Sequence, residues 1–155
     1  MSAILTEKET DAPKVFVSYA REDGEQAKAL YAQLRSVGFS PRIDREDIPA
    51  GKEWAPEIEA AMHAADFVIV CLSNNSVSKR GFVQRELRAA LDLYEEIPEG
   101  RVFLLPVRLE DCAVPSQLSK FQYTDLFEDQ GLDRLARSIL QEWAVRLKAN
   151  EGRGI

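Results

Sequence analysis

Glu86 is the ionisable side chain whose place in the sequence best suits it to chemistry. It follows the unbroken apolar run FVIVCL at residues 67–72 and a polar segment with three serines and two adjacent asparagines. At about 100° per residue, Glu86 lies roughly 80° from the centre of the apolar stripe of the helix predicted next. It is therefore predicted at the shoulder of that stripe, half out of the core. Ligands of open α/β sheets bind outside the carboxyl ends of the strands, which is where this carboxylate would be.

The elements around Glu86 follow from two hydrophobic patterns. The run at residues 67–72 is rich in β-branched side chains, which is typical of a strand buried on both faces. Residues 73–80 are predicted to form a polar loop. The helix after that loop is predicted from apolar side chains at helical spacing, namely Val83, Leu87, Ala90, Leu91 and Tyr94.

Strands and helices are predicted to alternate along the rest of the chain. The other predicted strands are residues 14–19, 39–43, 102–109 and 121–125, with helices between most of them and after the last. This alternation indicates βαβ units and a parallel sheet with helices on both faces. Right-handed crossovers then favour a flavodoxin-like three-layer α/β sandwich with five parallel strands.

Two prolines predict where strand pairing is limited. Pro41 cannot donate to a ladder, so the second strand is predicted to lie near an edge of the sheet. Pro106 falls in the second half of the fourth strand, which is therefore predicted to be bulged or paired on one side there.

Composition limits the classes of partner. The 155 residues suffice for one domain, predicted at residues 14–149 between an N-terminal tail (1–13) and a C-terminal tail (150–155). The net charge of −6 disfavours nucleic acid and anionic membranes as partners. Cys71 lies in the buried strand and has no metal-type spacing with Cys112, so a reducing, cytoplasmic location is expected. His63 is the single histidine, which excludes a multi-histidine metal site, and no metal ligand is predicted.

Several familiar motifs are absent. There is no G-x-G-x-x-G after the first strand, no G-x-x-x-x-G-K-[ST] and no G-x-S-x-G. A phospho-receiver of this size would carry an acidic pair after its first strand and an aspartate ending its third. Those places hold Tyr19-Ala20 and Ser73-Asn74-Asn75, so the receiver interpretation is weak.

Four blocks of sequence, in order, closely resemble a Toll/interleukin-1 receptor (TIR) domain. They are KVFVSYARED (14–23), RIDREDIPAGKEW (42–54), FVIVCLSNNSVSKRGFVQREL (67–87) and FLLPVRLEDCAVP (103–115), the last similar to the bacterial branch. The resemblance implies an enzyme in which the glutamate of a W-C-x-x-E-L motif cleaves the N-glycosidic bond of NAD. Here the motif reads FVQREL, with Phe82 in place of the tryptophan and Val83 in place of the cysteine.

The implied reaction suits one catalytic carboxylate. Nicotinamide leaves a cationic pyridinium as a neutral base, so it needs no proton and a second carboxylic acid is dispensable. An ionised Glu86 would stabilise an oxocarbenium-like ribose by charge, hold the ribose hydroxyls or attack covalently, and the residues leave all three open. NAD is expected as the substrate, and no cofactor is expected.

The resemblance also implies a binding site around Glu86. Arg21 would meet a phosphate, Asp44 would hold the nicotinamide or its ribose, Trp54 would stack on a ring and Phe82 would keep an aromatic wall. The other implied substrate-binding residues are Tyr19, Ala20 and Ser73. The loop of residues 44–52 resembles the family's BB loop, which gates the site and mediates self-association with other TIR domains.

Plainer interpretations stand beside these roles. Judged on spacing alone, Glu86 between Arg85 and Arg88 is a solvated helix residue. Arg21 is equally suited to an ion pair with Glu22 or Asp23, Asp44 to capping its loop, and Trp54 to anchoring the core.

Two functions of different classes therefore remain. One is a NAD nucleosidase that gives nicotinamide and ADP-ribose or a cyclic product in innate immune or antiphage signalling; the other is a non-catalytic scaffold that acts by TIR–TIR contact.

Overall fold

The computed structural model describes residues 12–42, 48–78, 82–98 and 100–152. Within them, five strands form one parallel sheet of order β2-β1-β3-β4-β5. The strands are β1 (Lys14–Ser18), β2 (Ser40–Pro41), β3 (Phe67–Leu72), β4 (Leu104–Arg108) and β5 (Thr124–Asp125). The α-helices are α1 (Gly24–Val37), α2 (Trp54–Ala64), α3 (Asn74–Ser78), α4 (Phe82–Glu95) and α5 (Gly131–Gly152), and 3-10 turns lie at Arg21–Asp23 and Ser116–Leu118.

The sheet separates two hydrophobic layers, as the predicted three-layer fold requires. Alternate residues of β1 face opposite sides, so Val15 and Val17 join the layer beneath α1 and α5 whereas Phe16 joins the layer beneath α2 and α4. All six side chains of β3 are buried, which confirms the prediction of a central strand covered on both faces. The flavodoxin-like class and the parallel five-stranded sheet are confirmed.

The prolines have the predicted effects on pairing. Pro41 lies in β2, which is an edge strand of the sheet. Pro106 pairs with Val70 of β3, whereas the register with β5 begins one residue later, at Val107. The fourth strand is therefore paired on one side at its proline.

Several predicted boundaries differ from the structure. The first strand ends at Ser18 rather than at residue 19, and the fourth begins at Leu104 rather than at residue 102. The second and fifth strands have two residues each within the described chain, and Ile43, assigned to the second strand, lies outside the described residues. Helix α5 continues to Gly152, so residues 150–152 of the predicted tail are helical. Among the described helices, none combines the length and apolar character that crossing a bilayer requires.

The prediction that residues 73–80 form only a loop was wrong, because this segment contains α3. The helix is capped reciprocally by two serines. Ser73 Oγ accepts a bond from the amide of Ser76 at 3.1 Å, and Ser76 Oγ accepts one from the amide of Ser73 at 2.8 Å. Side-chain caps stabilise a short polar helix that has no apolar periodicity to reveal it.

An ion pair fixes the end of the sheet where β4 meets β5. Arg108 donates from Nε and Nη2 to the two carboxylate oxygens of Asp125, at 2.6 and 2.8 Å. The same guanidinium lies over the rings of Tyr123 and Phe127. The hydrogen bonds from Arg108 hold the pKa of Asp125 below its ordinary value of 3.8.

This pair predicts how stability responds to acid. The folded-state pKa of Asp125 is depressed, so its contribution is complete above about pH 4 and is lost as the pH falls through the folded-state pKa. We expect urea unfolding between pH 5 and pH 2 to show a smaller loss of stability in Asp125→Asn than in the wild type. An equal loss in both proteins would contradict this assignment.

Candidate active site

Glu86 lies at the carboxyl end of the sheet but is more buried than its sequence position predicts. Only 5% of the residue is exposed, so the prediction of a carboxylate half out of the core was wrong. The reason is a partner 68 residues away in sequence: Ser18 Oγ donates a hydrogen bond to Glu86 Oε2 at 2.7 Å. Burial of a carboxylate is tolerated where hydrogen bonds replace water, and Ser18 supplies one.

Ser18 reaches Glu86 because of the alternation along β1. It is the last residue of the strand, 3% exposed, and is two residues beyond Phe16 on the side of the sheet that α2 and α4 cover. Its backbone is fixed by parallel pairing opposite Val70 of β3. A rigid strand end therefore presents one hydroxyl to one carboxylate of the helix above it.

A cavity of about 310 Å³ lies beside this pair, between α2 and α4. Its lining among the described residues includes Glu86, Trp54 and Ile58. The exposed residues Arg85 and Arg88 contribute to the same lining. Trp54, the first residue of α2, therefore lines the same cavity as Glu86. It also packs on the core cluster, as the plainer interpretation expects.

A second buried carboxylate lies near the first. Asp23 is 4% exposed and accepts hydrogen bonds from Ser73 Oγ and, at 3.1 Å, from Asn75 Nδ2. Burial, reinforced by the negative charges of Asp23 and Glu86, raises the pKa of the Cys71 thiol above its ordinary value. The Cys71 thiol is therefore neutral and is not activated as a nucleophile.

The other predicted binding residues occupy different surroundings. Tyr19 is half-buried against the hydrophobic layer on the opposite side of the sheet from Glu86. Ala20 is buried, and Arg21 is exposed in the 3-10 turn after β1. The Ser73 hydroxyl is engaged by Asp23 and by the α3 cap. The binding roles of these four residues stay predictions.

Two predicted site residues are not placed in detail. Asp44 lies outside the described residues, together with most of the charged part of the 44–52 loop. Phe82 is the first residue of α4, and the structure describes its backbone only. Across the described ranges, no cluster of three or more histidine, cysteine, aspartate or glutamate side chains is arranged to hold a metal ion.

Sequence reasoning missed Ser18 and Asp23. Ser18 carries a usable signal, because a serine that alternates with buried Phe16 at a strand's carboxyl end is a polar group entering a covered face. Asp23 carries no comparable signal, because its two donors lie 50 and 52 residues further along the chain.

The arrangement combines opposite charges around one cavity. A buried carboxylate at the carboxyl edge can stabilise a positive charge that develops in a ligand, because little water competes there. The guanidinium groups of Arg85 and Arg88 can meet an anionic part of the same ligand, and the indole of Trp54 can stack on a planar ring. The geometry suits a ligand that carries a cationic or polarisable ring together with phosphate.

Comparisons with known proteins place the chain in context. A family model described as "TIR domain" matches residues 15–137. The protein named NAD(+) hydrolase SARM1 from Danio rerio is 26% identical over 146 residues, which cover 87% of this chain and 20% of that protein. The chain thus spans about a fifth of this relative's length.

Solved structures share the fold. The TIR domain of the Toll-related receptor TRR-2 from Hydra magnipapillata has a TM-score of 0.68 at 21% identity, covering 84% of this chain and 97% of that one. A metazoan TIR-STING receptor from C. gigas, in complex with 2',3'-cGAMP, has a TM-score of 0.68 at 23% identity, covering 81% and 38%. At these identities the likeness establishes the fold alone.

Proposed function

The chain belongs to the TIR domain family, and we propose that it is a nucleosidase that cleaves the bond between nicotinamide and ribose in NAD. One observation carries the proposal: the buried carboxylate of Glu86, hydrogen-bonded by Ser18 at the carboxyl edge of the sheet, lines a cavity together with Trp54. The relative named as an NAD(+) hydrolase supports the same reaction class. The products are nicotinamide and either ADP-ribose or its cyclic form.

Glu86 acts on the ribose in this proposal. As the glycosidic bond lengthens, positive charge passes from the pyridinium ring to the ribose, and nicotinamide departs as a neutral molecule. An ionised carboxylate in a nearly dry site stabilises the oxocarbenium-like ribose strongly, because the surrounding dielectric is low. Water or a nucleophile within the ligand then captures the ribose, which decides between the linear and the cyclic product.

Binding uses the rest of the cavity lining. Arg85 and Arg88 are exposed and are suited to the diphosphate of NAD, since guanidinium groups donate paired hydrogen bonds to phosphate oxygens. Trp54 offers its indole to the nicotinamide or adenine ring. Arg21, Ala20, Ser73, Phe82 and Asp44 are proposed to complete the site around this centre, whereas Tyr19 packs on the other side of the sheet.

Catalysis is proposed to require assembly. The cavity of about 310 Å³ lies at the lower end of the range typical of small-molecule sites, and NAD carries two nucleosides and a diphosphate. The catalytic carboxylate is 5% exposed in the isolated chain. We infer that contact with another TIR domain, through the 44–52 loop, completes the pocket.

The experiment that tests the proposal is a product analysis over a series of protein concentrations. The protein is incubated with NAD, and nicotinamide, ADP-ribose and cyclic ADP-ribose are separated by chromatography. We expect nicotinamide release whose rate per protein molecule rises with concentration, because assembly completes the site. Absence of release while light scattering reports self-association would overturn the proposal.

A non-catalytic scaffold that acts by TIR–TIR contact is the second candidate. The near-complete burial of Glu86 favours it, because a carboxylate closed off by its neighbours is also what a purely structural hydrogen bond produces. Leu140 and Leu147 expose apolar side chains on α5, and such a contact can form on this helix face. The product analysis separates the two candidates.

We further propose a cytoplasmic location and a role in innate immune or antiphage signalling.

Trp54→Ala tests the binding role. We expect KM for NAD to rise about tenfold while kcat changes little, because stacking of an aromatic side chain on a base contributes about 1–3 kcal/mol. Trp54→Phe is the matched control, and it should retain most of the affinity. A fall in kcat with unchanged KM would place Trp54 in the chemical step instead.

A further inference from the structure

We propose that Ser18 is a positioning residue that holds the Glu86 carboxylate in its reactive orientation and in its ionised form. The proposal rests on the proposed function, whereas the hydrogen bond between the two side chains is independent of it. Among the described residues Ser18 does not itself line the cavity, so it acts through its hydrogen bond to Glu86, which does.

The first support is the rigidity of the donor. Ser18 ends β1, which lies between β2 and β3 in the sheet. Its backbone is held in register opposite Val70 of β3. A serine has one rotatable bond before its hydroxyl, so few conformations compete with the observed one. The carboxylate belongs to a longer and more flexible side chain, which one fixed donor at 2.7 Å orients relative to the edge of the sheet.

The second support is the direction of the bond. The hydroxyl donates and Glu86 Oε2 accepts. A donor of this kind favours the charged form of a carboxyl group, and it matters more where water is excluded. Ser18 is 3% exposed and Glu86 5%, so bulk water does not substitute for either partner.

Other titratable groups surround Glu86 in the wild type and in a Ser18 variant alike. On β3, burial and the negative charges of Asp23 and Glu86 raise the pKa of Cys71, so this thiol is neutral. The charged side chains that share the cavity with Glu86 are Glu59 of α2 and Arg85, Arg88 and Asp92 of α4. The wild type and Ser18→Ala carry the same set of these groups, so a difference between the two proteins reports on the hydroxyl.

The test is a pH titration of the Glu86 carboxyl by NMR, with ¹³C at Cδ of glutamate. Glu86→Gln identifies the resonance by removing it. In Ser18→Ala we expect the pH midpoint of Glu86 to lie about one unit higher than in the wild type, since a hydrogen bond to the charged form has been lost. In Ser76→Ala, an equally buried serine bonded to the backbone of residue 73, the Glu86 midpoint should not move.

Kinetics supply the second readout. With NAD, Ser18→Ala should show kcat about tenfold lower, an unchanged KM and an acidic limb of the rate profile displaced to higher pH with the NMR midpoint. Ser18→Thr, which keeps the hydroxyl, should recover part of the rate.

The outcomes separate the two proposals. An unmoved midpoint in Ser18→Ala overturns the positioning of Glu86, whether or not the wild type cleaves NAD. A displaced midpoint supports it. A displaced midpoint in a protein that releases no nicotinamide under any assembly condition overturns the proposed function alone.

Discussion

Glu86→Gln is expected to lower kcat for nicotinamide release by about 1,000-fold or more. Glutamine keeps the shape of the side chain and an oxygen that can accept from Ser18, so the fold and the cavity should persist. It removes the negative charge that stabilises the positive charge developing on the ribose. KM for NAD should change much less than kcat, because the lost interaction strengthens only as the bond breaks. The measurement is the initial rate of nicotinamide release over a range of NAD concentrations.

Glu95→Gln provides a matched control for this variant. Glu95 is also on α4, is exposed, and does not line the cavity beside Glu86 among the described residues. It should cleave NAD at the wild-type rate. Circular dichroism and thermal unfolding should show that both variants are folded. Comparable rates for Glu86→Gln and Glu95→Gln would mean that another group performs the reaction.

Phe16→Ala is expected to destabilise the domain by about 4 kcal/mol, because it removes a large core side chain and leaves a cavity. Phe16 is 1% exposed and packs under α2 and α4, on the same side of β1 as Ser18. For a domain of this size the loss corresponds to a fall in Tm of about 10 °C. Because small domains are stabilised by only about 5–15 kcal/mol, the variant should be close to its folding limit. Urea unfolding measures the difference directly.

Phe16→Leu separates volume from shape at the same position. It should cost much less than Phe16→Ala, since most of the buried apolar volume remains. At a temperature where Phe16→Leu is fully folded, its nicotinamide release should stay near the wild-type rate, provided that the end of β1 keeps its place. A loss of less than about 1 kcal/mol in Phe16→Ala would show that the layer beneath α2 and α4 is looser than its burial indicates.

The framework around the site follows from local signals. The run at Phe67–Leu72 is apolar on both faces, so it predicts a central strand, and the structure has β3 with the same bounds. Gly38 follows α1 and ends it in the left-handed conformation, with φ 103°, which is the usual role of a glycine directly after a helix. Both features depend on residues that are close together in the sequence, so a local sequence pattern predicts them.

The site depends on distant partners, and there the sequence is less informative. The helical position of Glu86 predicts partial exposure, because periodicity does not reveal that Ser18 offers a hydroxyl from another strand. Helix α3 was missed because its stability comes from serine caps rather than from an apolar stripe. Asp23 could not be identified from the sequence as a buried carboxylate, because its donors Ser73 and Asn75 come from a distant part of the chain.

The family resemblance singles out Glu86 as the catalytic candidate, and the structure adds its surroundings, a buried hydroxyl donor and a cavity. Of the seven other predicted site residues, Trp54 shares the cavity with Glu86, whereas the side chain of Tyr19 packs on the other side of the sheet. Residues next to each other on a strand face opposite layers, so neighbouring positions in a motif need not share a site.

The most direct test of Glu86 as the group that meets the ribose is a structure of the assembled Glu86→Gln variant with NAD bound. We expect the anomeric carbon of the nicotinamide ribose to lie within about 3.5 Å of the side chain at position 86, in the cavity between α2 and α4 and next to Trp54. NAD bound with its nicotinamide ribose outside this cavity, and without contact to position 86, would contradict the account.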